Sequence, residues 1–212
     1  MNTWDEHYKN FWNERYKQTG YAYGKEPNDF FAAWLRKLKP GAILMPADGE
    51  GRNGVFAAKL GWDVTSFDLS EEGKEKALEL AKENDVTIKY LVGDQEQLSF
   101  ETAAFDAIGL IYAHFAAGKK SSFHKELSSY LKPGGVIVFE AFGKNNLHNV
   151  KINPKVGGPK DVGMLFSTDE IAADFEGYNF LVLEETEVDL GEGDYHIGTG
   201  SVVRFVGRKP RV

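Results

Sequence analysis

The chain of 212 residues contains no cysteine, so no disulfide framework staples it and no thiolate site can hold zinc. Long apolar runs are missing as well. None approaches the roughly 18 residues that a membrane-spanning helix needs, and the opening stretch Met1-Asn-Thr-Trp-Asp-Glu-His7 is polar and acidic rather than signal-like. These absences predict a cytoplasmic protein with no membrane partner. Basic residues are in deficit, 25 Lys and Arg against 32 Asp and Glu for a net charge of −7. That balance argues against a nucleic acid or an anionic surface held by bulk charge. The five histidines are scattered, without the i,i+4 pairing of a metal-binding helix, so no resident metal is expected.

The remaining composition, 42% hydrophobic and 27% charged, is that of a soluble globule, and the length suits one domain with a full core. The reading is a single domain over 1–212, with 1–40 as a helical lid or cap and 41–212 as an α/β core. Residues Thr3 to about Gln18 read as an amphipathic helix opened by a capping box of Thr3 and Glu6. Asn28 can cap a second helix that Lys39-Pro-Gly41 stops. Ten aromatic rings, from Trp4 to Trp34, fall in this opening stretch. Several must pack the two helices, and the remainder can form a lid attractive to a soft cation.

From residue 42 the pattern alternates. Strands are expected near 42–46, 63–67, 86–92, 105–112 and 135–141, separated by helices near 51–60, 70–83 and 119–131. Such alternation implies a doubly wound, mostly parallel sheet with helices on both faces. Gly143 to Met164, rich in Gly, Asn, Lys and Pro, reads as a long loop over the site. A short helix near 167–175 then precedes strands near 180–190 and 200–208, joined by a nine-residue link.

The densest information lies in Ile43–Asp68, which reads as strand, glycine turn, helix, strand and terminal carboxylate. Gly49, Gly51 and Gly54 follow the spacing Gly-x-Gly-x-x-Gly, which lets backbone approach a ligand, and Asp68 stands where a carboxylate can accept bonds from two ribose hydroxyls. Asp48 and Glu50 would repel the pyrophosphate of a dinucleotide but attract an ammonium and a sulfonium. S-adenosylmethionine carries both cations. A nicotinamide-dependent oxidoreductase and a binding module that holds the cofactor without turnover are the alternatives; the acidic turn and Pro46 before it weigh against the former.

The run Pro46-Ala-Asp-Gly-Glu-Gly-Arg-Asn53 resembles motif I of class I S-adenosylmethionine-dependent methyltransferases, in the form of the tellurite-resistance and thiopurine-methyltransferase group. It departs from the commonest class I version in having Met45 for an acid and Ala47 for glycine. The strings Trp12–Tyr16, Tyr21–Phe30, Gly157–Ser167 and Glu192–Gly198 also look like that group. The resemblance implies a Rossmann-like methyltransferase fold of seven strands with the last antiparallel. It also implies cofactor contacts from Arg15 or Tyr23 to the methionine carboxylate, from Ala47, Asp48, Gly49, Glu50, Gly51 and Asn53 in the turn, from Asp68 and Leu69 after the second strand, from Asp94 and Gln95 near the adenine, and from Ile111. Phe105–Phe115 is similar to motif IV, which ends beside the transferred methyl. That makes Tyr112 and His114 candidates for the chemistry, with His196 as the other plausible base, and Glu140 either facing the acceptor or forming a salt bridge. The implied activity is methyl transfer to a small-molecule acceptor: a tellurium or selenium oxyanion, a thiol, or a small hydroxylated or aromatic compound. A monomer or homodimer is expected.

Overall fold

The structure, a computed structural model, describes residues 3–211. The proposed capping box of Thr3 and Glu6 and the ring of Trp4 rest on side chains that lie outside the described residues. The chain groups into two compact units, up to Ser99 and from Phe100 onward. In the first come α1 (Thr3–Tyr16), α2 (Asp29–Leu35), β1 (Ala42–Pro46), α3 (Arg52–Lys59), β2 (Asp63–Asp68), α4 (Glu71–Glu83) and β3 (Lys89–Val92). In the second come β4 (Phe105–Ile111), α5 (Lys120–Tyr130), β5 (Leu131–Phe142), α6 (Asn146–Ile152), α7 (Thr168–Asp174), β6 (Asn179–Glu192) and β7 (His196–Arg208).

The fold is the α/β, Rossmann-like arrangement expected, a mixed seven-stranded sheet of order β3-β2-β1-β4-β5-β7-β6. β1 with β2, β2 with β3, and β4 with β5 pair parallel, while β7 runs antiparallel to both β5 and β6. Ile43, Leu44 and Met45 in β1 and Ala107, Ile108 and Leu110 in β4 are at most 1% exposed, so these strands read as continuous apolar runs because both their faces are covered. The helices bury one stripe each: α4 turns Gly73, Ala77, Leu80 and Ala81 inward, at helical spacing. Side-chain caps fix where helices begin. Asn28 accepts from Phe31 N, Ser70 from Gly73 N, and Ser167 with Glu170 forms a reciprocal capping box on α7.

Four expectations need correction. β3 starts at Lys89 rather than 86, because Val86 N closes the end of α4 on Ala81 O and Val86 and Ile88 pack with Val55 and Leu80. β5 starts at Leu131, and its Lys132-Pro-Gly-Gly135 run is taken up as an irregularity between the pairs Phe105–Leu131 and Ala107–Val136. The stretch 143–164, read as a loop, contains α6 and two 3₁₀ turns, since Leu147, Val150 and Val156 find apolar partners in Phe142, Leu165 and Val202. The nine-residue link after β6 shrinks to three. Pairing runs on to Glu192 opposite His196, leaving Gly193, Asp194 and Tyr195 as the turn, and the glycines there had masked the period-2 signal.

Ser70 joins two elements, accepting from Gly73 N at 3.0 Å and donating to Asn13 Oδ1 of α1 at 2.7 Å. Ser70→Ala is expected to lower stability by about 1–2 kcal/mol, read as a lower urea midpoint with an unchanged slope.

Candidate cofactor and acceptor sites

In the first unit, the chain leaves β1 through Ala47, a non-glycine residue at φ 52°, and then Gly49 and Gly51 at φ 54° and 82°. Left-handed backbone of this kind at a strand end marks a tight functional turn. It swings the Asp48 carboxylate inward, where Oδ2 accepts from Ser66 Oγ at 2.7 Å and Oδ1 from Gly54 N at 3.3 Å. Gly54 is required by close approach, because a Cβ there would collide with Asp48 Oδ2 and Ser66 Oγ. Burial pushes the Asp48 carboxyl up to about 7, against the two hydrogen bonds that favour its charged form.

The next polar side chains face the segment that precedes α2. Glu50 accepts from Ala22 N at 2.7 Å and from Tyr23 N, and pairs with Lys76 Nζ at 2.8 Å. Lys76 also donates to the carbonyls of Gln18 and Gly20. Arg52 donates to Tyr23 O and Glu26 O, and Asn53 Oδ1 accepts from Asn28 N at 2.9 Å. Glu50, Arg52 and Asn53 thus fasten residues 22–28 onto the turn.

Asp68 closes β2 and is 7% exposed. Its Oδ2 accepts from Gly49 N at 3.0 Å and its Oδ1 from Ser70 N at 2.9 Å, with a further bond from Leu69 N. Desolvation nevertheless raises it to about 6. Tyr90 Oη donates to Gly49 O, and the Tyr16 hydroxyl lies where a Gly49 side chain would point. A cavity of about 210 Å³ opens beside Leu69, Val92, Gly93, Asp94 and Gln97, with Lys9 and Glu71 on its border. Asp94 lines it while its Oδ1 accepts from Gln97 N at 2.9 Å, and Gln95 is buried. Arg15 donates to Tyr23 Oη at 2.8 Å and lies over the Phe11 ring, and Trp12 stacks on Tyr16 at 5.4 Å. The structure therefore gathers Asp68 with the turn, Leu69 with Asp94, and Arg15 with Tyr23.

In the second unit, Ile111 is buried at the end of β4 and Tyr112 follows it at φ 51°. Tyr112 Oη donates to Glu140 Oε1 at 3.2 Å, and Arg204 Nε donates to Glu140 Oε2 at 2.6 Å. Glu140, 2% exposed, is thus the salt-bridge member of its two expected roles. The Tyr112 ring lies 4.5 Å from that of His196 and 4.8 Å from Phe142. His196 Nδ1 meets Glu192 Oε2 at 2.9 Å. His114 is held differently: Nδ1 donates to Met164 O at 2.9 Å, its ring stacks over Phe142, and burial lowers it to about 4. It is neutral near physiological pH and a weak proton acceptor there.

Sequence reasoning missed Glu192, Arg204, Lys76, Tyr16 and Tyr90. Glu192 alone carried a readable signal, an acid four residues before a histidine across a glycine-containing turn. Among the described residues, no group of three or more His, Cys, Asp or Glu is placed to hold a metal ion.

Residues 43–135 match the family model of a methyltransferase domain. Over 127 residues, 58% of the chain, it is 32% identical to 39% of the 2-methyl-6-phytyl-1,4-hydroquinone methyltransferase of Synechocystis. Over 122 residues, 55% of the chain, it is 34% identical to 44% of the malonyl-[acyl-carrier protein] O-methyltransferase of Erwinia pyrifoliae. The chain spans less than half the length of these two curated relatives. A tRNA N(3)-methylcytidine methyltransferase of Schizosaccharomyces pombe is 24% identical over 195 residues, 76% of the chain and 63% of that protein. The expectation of no nucleic-acid partner therefore rests on net charge alone. Among solved structures, TehB from Haemophilus influenzae superposes with a TM-score of 0.70 at 18% identity, covering 95% of this chain and 66% of that one, a likeness of fold.

Two outcomes follow from the buried carboxylates. Arg204→Leu leaves Glu140 buried without that partner and is expected to cost about 3–5 kcal/mol in urea unfolding. Asp48 has a folded pKa above its unfolded value, so its contribution is present below the unfolded pKa and lost as pH rises through about 7. Asp48→Asn lacks that loss, and its stability relative to wild type should increase between pH 4.5 and pH 8 in paired urea titrations.

Proposed function

We propose that the chain transfers the methyl group of S-adenosylmethionine to a small-molecule acceptor. The observation that carries this reading is Asp68, a buried carboxylate held by the backbone N–H groups of Gly49, Leu69 and Ser70 beside a cavity lined by Leu69 and Asp94. Three of its four lone-pair sites take those donors, which leaves one for a ribose hydroxyl. The residues present fit the cofactor: Asp68 toward the ribose, Leu69, Asp94 and Gln95 toward the adenine, the 47–51 turn toward the methionine portion, and Arg15 with Tyr23 toward its carboxylate, where a planar guanidinium suits bidentate contact. In this assignment Glu50 and Asn53 act through the 22–28 segment they fasten, and the first 40 residues serve as a lid. The donor supplies an electrophilic methyl on sulfur; the protein supplies orientation and exclusion of water.

The hydroquinone and carrier-protein methyltransferase relatives support a modest acceptor, and the likeness to TehB supports the tellurite-resistance and thiopurine-methyltransferase group as the finer placement. Oxyanions of tellurium or selenium, thiols and small hydroxylated or aromatic compounds are the acceptor classes assigned. We place the protein in the cytoplasm, as a monomer or homodimer.

Calorimetry should show binding of S-adenosylmethionine and none of NADH; tight NADH binding alone would reject the proposal. Asp68→Ala is expected to weaken cofactor binding by about 1–3 kcal/mol through lost charge-assisted bonds, and unchanged affinity in the folded variant removes Asp68 as the ribose ligand. Because the accepting form is the carboxylate and its pKa is about 6, wild-type affinity should fall by roughly tenfold per pH unit below that value.

A further inference from the structure

Between α1 and α2, residues 17–28 form neither helix nor strand, so the backbone groups there must find partners outside a regular ladder. Side chains of the glycine turn and of α4 supply them. Lys76 stands next to the buried Ala77 on α4, and its ammonium donates to Gln18 O at 2.8 Å, to Gly20 O and to Glu50 Oε1 at 2.8 Å. An ammonium has three N–H donors, so these three acceptors account for all of them. Glu50, whose side chain is 3% exposed, takes the N–H groups of Ala22 and Tyr23 as well. Its charge is therefore met inside the protein, by one cation and two amides. Tyr21 adds a second grip: its hydroxyl donates to Lys76 O at 3.1 Å, and its ring lies 5.5 Å from Lys76 Nζ and packs on Val55, Leu80 and Ala81. The consequence lies two residues on, where the Tyr23 hydroxyl accepts from Arg15 at 2.8 Å.

We infer that Lys76 is a positioning residue: by holding Gln18, Gly20 and Glu50 together it sets the place of Tyr23 and Arg15, so that the 18–23 segment closes on the amino-acid end of the donor and not on its nucleoside. This rests on the proposed methyltransferase reading and adds the residue that governs one end of that site. With its three donors engaged, Lys76 acts through the segment and does not itself touch the ligand. Without it, Glu50 stays buried with amide donors alone, the carbonyls of Gln18 and Gly20 lose their donor, and the segment leading to Tyr23 is loosened. Asp68 is held by Gly49, Leu69 and Ser70, donors that do not involve Lys76. Loss of Lys76 therefore separates the two ends of the cofactor site. A ligand that contains both ends loses affinity, and a ligand that stops at the nucleoside thioether keeps it.

The test compares S-adenosylhomocysteine with methylthioadenosine, which share the nucleoside and a neutral sulfur; the second ends in a methyl group where the first carries the amino-acid chain. Calorimetry on Lys76→Met should show S-adenosylhomocysteine affinity lowered about 10-fold relative to wild type and methylthioadenosine affinity unchanged, whereas Asp68→Ala weakens both. Equal losses for the two ligands in Lys76→Met mark a general structural defect and overturn the inference, as does unchanged affinity for both. Wild-type protein gives a second readout that does not need the variant to fold. S-adenosylhomocysteine should slow hydrogen exchange of the Ala22 and Tyr23 amides by about 10-fold, and methylthioadenosine should leave it as it is. No slowing by S-adenosylhomocysteine, or equal slowing by both ligands, overturns the inference and leaves the cofactor reading standing. If wild type binds neither S-adenosylmethionine nor S-adenosylhomocysteine, the methyltransferase reading fails and this inference fails with it.

Discussion

One buried carboxylate ties together the part of the molecule that precedes β4. Asp68 receives the N–H of Gly49 from the turn after β1 and the N–H groups of Leu69 and Ser70 from the turn after β2, so a single charge sets the spacing of two strand ends. Ser70 passes that constraint onward to α1 and to the first turn of α4. Taking a carboxylate out of water is costly, and the raised pKa of Asp68 records that cost. What offsets it is a set of backbone donors that would otherwise need water at the same place. In the proposed reading, a ligand hydroxyl arriving there would meet an acceptor already oriented, which is the condition for strong recognition without rearrangement.

Around this anchor the acids of the glycine turn divide their work. Asp48 faces inward to Ser66 and Gly54 and stiffens the turn from beneath. Glu50 faces outward to Lys76 and to the amides of Ala22 and Tyr23, joining α4 to the segment that carries Tyr23. Two carboxylates two residues apart thus support the same backbone from opposite sides. The left-handed conformation of Ala47 between strand and turn is the strain this arrangement stores, and Gly54 supplies the room.

The parallel strands and their helices were legible because their physics is local: apolar runs such as Ile43–Met45, caps such as Asn28, and glycine at fixed offsets all act within a few residues. The Gly-x-Gly-x-x-Gly spacing was legible for the same reason. What escaped detection is made by contacts distant in sequence. Lys76 reaches Gln18, Gly20 and Glu50, Tyr90 reaches Gly49, and Arg204 reaches Glu140. The stretch 143–164 looked structureless because its few apolar residues are spaced irregularly, yet Leu147, Val150 and Val156 suffice to pin it on Phe142, Leu165 and Val202. The end of the hairpin was misjudged because glycines at 191, 193, 198 and 200 dilute the alternation that marks a strand.

The three-residue reversal at Gly193, Asp194 and Tyr195 has a consequence for how this protein can diverge. Side chains along paired strands alternate between faces, so adding or deleting one residue at the reversal would send His196 to the opposite side of the ribbon and part it from Glu192. The length of that reversal is therefore constrained, and so is its composition at Gly193, which takes φ 59°. The stretch 143–164, anchored at a few apolar points, can lengthen or shorten between them, so the two segments differ in how much change of length the packing tolerates.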